Sequence, residues 1–188
     1  MTDWTALNRS NWDERAAPHA ESPDYAIDRF IADPTFLSDV VRFDLPRLGD
    51  VSGARGVATL LAPGGRLFLR EGHPVLWALP GPRPDGLLAL EFPYFETAEP
   101  EIWDEPGTYV DTQHEFTNTV SATWNHGVGE VVTALLDVGL RLTMLVEHDS
   151  VPWNALPGQM DRLPDNEFRI TDRPNRLPHS YTLQAMKP

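Results

Sequence analysis

The chain has 188 residues, of which 41% are hydrophobic and six are Trp, so a single domain can bury a real core without staples and a disordered chain is excluded. It has no Cys, which removes disulfides, thiolate metal sites, iron–sulfur clusters and a Cys nucleophile, and is the usage of a reducing cytoplasm. The 28 acids outweigh 15 bases to give a formal charge of −13, a field that repels nucleic acid and anionic membrane.

No apolar run approaches the roughly 20 residues needed to cross a bilayer. The start, Met1-Thr2-Asp3-Trp4, lacks the basic and apolar segments of a signal peptide, so a cytoplasmic location is expected. Neither an internal repeat nor a heptad is present.

The first 45 residues predict three short helices. Ser10-Asn11-Trp12-Asp13 has capping-box spacing and starts a helix to about Ala17, before Pro18. Ser22-Pro23 starts a second, with Tyr25, Ile27, Phe30 and Ile31 as its stripe, and Asp33-Pro34 a third, with Phe36, Leu37, Val40 and Val41 inward. Leu45–Gly56 reads as turns. Gly56–Leu61 reads as the end of a helix before the Ala62-Pro63-Gly64-Gly65 turn.

Arg66–Glu71 is a predicted strand, with Leu67, Phe68 and Leu69 suggesting burial on both faces. Residues 74–107 form a Pro-rich excursion with one strand expected at Leu87–Phe92, and extended strands are expected within 108–125. Gly129–Val138 is the clearest helix, stopped by Gly139. Leu140–Glu147 is a strand carrying Leu140, Leu142, Met144 and Val146 on one face. After a Pro-rich loop over 149–178, Ser180–Met186 is the last strand, with Tyr181, Leu183 and Ala185 on one face. The fold class is α/β.

The ordered set Leu60-Leu61-Ala62-Pro63-Gly64-Gly65-Arg66-Leu67, Gly129–Leu142 and Ser180–Ala185, with the opening Asn8-Arg9-Ser10-Asn11-Trp12-Asp13-Glu14-Arg15-Ala16, resembles the class I S-adenosylmethionine-dependent methyltransferases. The resemblance covers about residues 8–53 and 57–188. It implies a single domain over 1–188, with 1–53 a helical lead and 57–188 the C-terminal half of a Rossmann-like sheet. It implies S-adenosylmethionine as cofactor and a small-molecule methyl acceptor. In the family the fifth, seventh and sixth strands lie side by side, so the strands at 66–71, 180–186 and 140–147 should form one patch with the C-terminal strand in the middle.

The sequence also departs from the family. In the family the chain enters a first strand near where Asp50-Val51-Ser52-Gly53 stands here, and a glycine loop and a ribose-binding acid follow. Here only residues 54–62 separate Gly53 from the turn, too few for the first four strands. Weak cofactor binding is therefore expected. The chain reads as a compacted methyltransferase, as a non-catalytic binding or assembly module, or as a truncated gene product. The lost fourth strand leaves the edge at 66–71 open to self-association, or to cover by the 74–107 loop through Trp77, Tyr94, Phe95 and Trp103.

Candidate site residues follow from position. Glu71 and His73 stand at the C-terminal end of the first strand, where open α/β sheets place ligands, and His73 could act as a base. Trp124 and His126 precede the best helix and could line the same pocket. Trp12 and Arg15 share a helix face, and in the family such residues help to cover the cofactor. Gly127-Val128-Gly129 reads as a flexible helix start rather than a nucleotide loop. Glu147-His148-Asp149 and His114-Glu115 are adjacent residues that point to opposite sides of a strand, so no metal site is expected. No Gly-x-Ser-x-Gly elbow is present. The acids at 96–105 read as a solvated face.

Overall fold

The computed structural model describes residues 2–48, 61–81 and 83–188. The expected strand entry at Asp50–Gly53, and the expected helix end before Leu61, lie outside them. In chain order the elements are α1 (Trp4–Glu21), α2 (Ile27–Ala32), α3 (Asp39–Leu48), β1 (Arg66–Gly72), α4 (Pro74–Trp77), β2 (Glu101–Asp104), β3 (Val120–Thr123), α5 (Val128–Asp137), β4 (Arg141–His148), β5 (Met160–Arg162), β6 (Phe168–Ile170) and β7 (Ser180–Met186). They form two compact units, Met1–Arg42 with Thr97–Trp124, and Phe43–Glu96 with Asn125–Pro188.

In the first unit α1 is one long helix, not a short one opening at Ser10. Asp3 caps it, accepting from the Ala6 N–H at 3.0 Å. It also passes Pro18. That residue lies in the last turn and forfeits a single donor, and Ser22 N–H closes the end on the Pro18 and His19 carbonyls, both at 3.1 Å. Ser22 does start the next element, a 3-10 turn over Pro23–Tyr25, but Ala26 in the left-handed region separates it from α2. Asp33-Pro34 forms a turn instead of a helix start, because the Asp33 side chain accepts from Thr35 N–H at 2.9 Å. Of the inward stripe expected after it only Phe36 is buried; Leu37, Val40 and Val41 are exposed. Helix α3 runs through the segment read as turns, as far as Leu48.

The buried face of α1 is polar. The Asn8 side chain donates to Ala122 C=O at 2.7 Å and accepts from Ala122 N–H at 2.8 Å, the bonds a neighbouring strand would make. Asn11 donates to the Asn118 and Val120 carbonyls. Glu14 accepts from the Thr117 and Asn118 N–H groups at 2.9 and 2.7 Å. These residues recur at helical spacing, so one face of α1 secures the run into β3. Strand β3 pairs antiparallel with β2. Thus a strand stands at 101–104, where the acids had suggested only a solvated face.

In the second unit a three-stranded sheet has the order β1–β7–β4, with β7 antiparallel to both neighbours. The C-terminal strand is central, as expected. Its Tyr181, Leu183 and Ala185 face a core with Leu61 and Leu140, covered by Val128, Val131, Val132 and Leu135 of α5. Leu136, expected on that stripe, is exposed. Gly139 ends the helix at a φ of +80°, where a side chain would be strained. β1 is half-buried, not buried on both faces.

Strand β4 departs from its simple alternation. Its register shifts between Leu142, opposite Ala185, and Met144, opposite Gln184. The extra residue, Thr143, reverses the parity of the strand. Leu142 therefore faces α5, while Met144 and Val146 share the opposite face with His148, correcting the expected four-residue stripe.

Residues 87–92 form no strand. The Glu91 and Phe92 N–H groups both converge on the Ala78 carbonyl. The loop over 149–178 holds the antiparallel β5–β6 pair, and its Val151, Leu156 and Ile170 form a second core with Leu76 and Leu79. Trp77 stacks on Trp153 at 5.6 Å, and Phe95 is exposed. The fold is mixed α/β with small antiparallel sheets, and no helix among the described residues is long and apolar enough to cross a membrane.

Candidate functional site

The residues expected at the end of β1 are spent on local structure. Buried His73 caps α4, its Nδ1 accepting from Val75 N–H at 3.2 Å. That leaves the proton on Nε2, which donates to Glu147 Oε1 at 2.9 Å. Burial pushes the His73 pKa down, and the Glu147 carboxylate opposes this only in part. With both nitrogens engaged, His73 is a capping residue with no lone pair free for base catalysis. Glu71 is exposed and accepts from Gly72 N–H. The structure does bring Glu147 and Tyr181 to this end, Tyr181 lying edge-on to His73 at 6.1 Å.

Trp124 and His126 fall in different units. His126 is exposed, with Nδ1 3.6 Å from Glu96. Gly127 caps α5; its N–H donates to Glu130 at 2.6 Å, and a side chain there would come within 2.9 Å of the Tyr94 ring. Gly127 is thus a tightly packed helix start, while a side chain at Gly129 would meet nothing within 4 Å.

Arg15 fails the test of a cofactor-binding residue. It is 5% exposed. One terminal nitrogen donates to the Asn11 and Asn118 carbonyls and the other to those of Glu105 and Gly107, at 2.9–3.1 Å. The guanidinium also stacks on Phe116 at 4.5 Å. Its terminal donors are spent on backbone, so it has none to offer an S-adenosylmethionine carboxylate. Trp12 is 54% exposed and packs edge-on against His19 instead. Arg15 therefore does not fit that group, whereas Trp12 keeps an exposed indole.

Two constellations were not read from the sequence. The first fills the sheet face opposite α5. Arg70 of β1 makes a bidentate pair with Glu167 at 3.0 and 2.6 Å, and Ser150 donates to the same carboxylate. Arg70 lies 3.8 Å over the Phe43 ring, with Nε 3.9 Å from Asp44, beyond hydrogen-bond reach. Thr182 of β7 donates to Asp44 at 3.2 Å and so accepts from His148 Nε2 at 2.8 Å. Burial first, then the Arg47 and Arg70 charges, lower the His148 pKa to about 4. Neutral His148 and two opposed charge pairs tie α3, β1, β4, β7 and the β5–β6 pair together. Removing one partner of a buried pair strands the other charge, at a cost of about 3–5 kcal/mol.

The second lies in the first unit. His19 is 6% exposed. Its Nε2 is 2.6 Å from Thr108 Oγ1 and its Nδ1 is 3.3 Å from the Tyr25 hydroxyl, which is hydrogen-bonded in turn to the Tyr109 hydroxyl. Burial first, then the Arg15 charge, lowers the His19 pKa, so the ring is neutral near pH 7. A buried imidazole is thus wired through two phenols to the surface, where Tyr109 is 59% exposed. No three His, Asp or Glu side chains among the described residues converge where a metal ion could sit.

Comparison with protein-family models, curated proteins and solved structures finds no match to the chain.

Proposed function

We propose that this chain is the acceptor-side part of a methyltransferase-like fold, which binds a small molecule but does not hold S-adenosylmethionine firmly enough to transfer a methyl group alone. The observation that supports the family reading is the sheet order β1–β7–β4, with the C-terminal strand inserted between the strands that follow the Pro-Gly-Gly turn and α5. The observation that supports the non-catalytic reading is the commitment of Arg15 and His73 to backbone groups and a structural ion pair. The formal charge of −13 disfavours nucleic acid as the acceptor.

Cross-strand contacts measured by NMR test the order. Leu183 stands opposite Leu69 on one side and Leu145 on the other. Nuclear Overhauser contacts from Leu183 to both are expected. Contacts to one alone would place β7 at an edge and remove the support for the family reading.

A further inference from the structure

We infer that Trp12, His19, Tyr25 and Tyr109 form a binding site for a neutral, hydroxylated aromatic molecule, a ligand of the phenol class. The site rests on the reading above only where its ligand is called a methyl acceptor; the binding itself is independent of any cofactor.

Hydrogen-bond bookkeeping selects the hydroxyl. Neutral His19 has one N–H and one lone pair, while Thr108, Tyr25 and Tyr109 can each donate and accept. In one sense of the chain Tyr109 donates to Tyr25, Tyr25 to Nδ1, and Nε2 to Thr108. Tyr109 then presents a lone pair to solvent. In the other tautomer every bond reverses and Tyr109 presents its O–H. A ligand hydroxyl satisfies the open end in either state, and the polarised chain strengthens the contact.

The rings select the rest of the ligand. Trp12, Tyr25 and Tyr109 surround His19 with centroid separations of 6.0, 5.5 and 4.6 Å, and all three remain exposed, at 54%, 39% and 59%. Exposed aromatic side chains beside a buried polar group offer stacking area with an oriented polar handle. Arg15, the nearest cation to enter the His19 electrostatics, is committed to four carbonyls. With a net charge of −13, a carboxylate or phosphate is disfavoured against a neutral ring.

The experiment follows the Trp12 indole and His19 ring resonances of the full chain during titration with 4-methylphenol and, separately, with toluene. 4-Methylphenol should shift both saturably, with a dissociation constant on the order of millimolar for so small a ligand. Toluene stacks but cannot complete the chain, and should bind about fivefold more weakly. Tyr109→Phe should bring the two affinities together. Tyr25→Phe leaves the Tyr109 hydroxyl in place but cuts it from His19, so it should narrow the gap only in part, and Trp12→Leu should weaken both probes. Equal affinities in the unaltered chain, no saturable shift with 4-methylphenol, or an unchanged ratio in both Tyr variants would overturn the proposal. A different strand order would remove the methyl-acceptor reading and leave the 4-methylphenol result standing.

Discussion

His148 carries no charge on the polar face of the sheet, and this makes the stability of the chain depend on pH. Its pKa is about 4 in the fold against 6.5 in an ordinary His. Between those values the unfolded chain holds the extra proton, so stability is full above pH 6.5 and falls as pH drops towards 4. Glu14 acts in the same direction in a lower window. The Thr117 and Asn118 N–H groups hold its carboxyl at about 2, so its contribution is present above 4.5 and is lost as pH falls through about 2. Urea midpoints at pH 7, 6 and 5 should decline, and His148→Gln should flatten that decline. An equal slope in the variant would contradict the buried neutral ring. At this scale the sequence was partly legible. It drew attention to His73, Arg15 and Trp12, but could not show that backbone carbonyls and an N-cap would consume the first two. The hydroxyl chain was illegible because Tyr25 and Tyr109 stand 84 residues apart.

Among the elements, α5 and its Gly139 stop were legible because apolar spacing and a left-handed glycine act locally. The α1 clamp was not, because its buried face is Asn11, Arg15, Pro18 and His19 and gives no apolar period. The faces of β4 were misread at one residue. A period of two holds only while the ladder is regular, and Thr143 breaks it. Deleting Thr143 should leave Leu142 and Met144 as ordinary neighbours on opposite faces, in their present pairings with Ala185 and Gln184. The deletion variant should fold with a melting temperature within a few degrees of the parent, since it loses only the exposed Thr143–Gln184 contacts, each worth about 1 kcal/mol. Loss of cooperative unfolding would contradict the bulge. The β5–β6 pair and β2 escaped detection because each strand has only three or four residues, amid Pro and acids.

For the molecule as a whole, the sheet has two outer strands. β4 carries a bulge, a device that blunts edge pairing, whereas β1 keeps a regular register over seven residues and among the described residues pairs only with β7. Self-association through β1 is the expected consequence. Light scattering should show a mass that rises with concentration, more steeply at high salt, where the like charges of two acidic chains are screened. A clean monomer at high micromolar concentration with protected amides at 66–71 would contradict it. Calorimetric titration of the full chain with S-adenosylhomocysteine tests whether the proposed acceptor-side fold lacks a grip on the cofactor. Each missing charge-assisted hydrogen bond removes about 1.5–3 kcal/mol, so several together move binding from micromolar to millimolar or weaker. No saturable heat is expected at micromolar ligand; a dissociation constant in the low micromolar range would show that the chain does hold the cofactor.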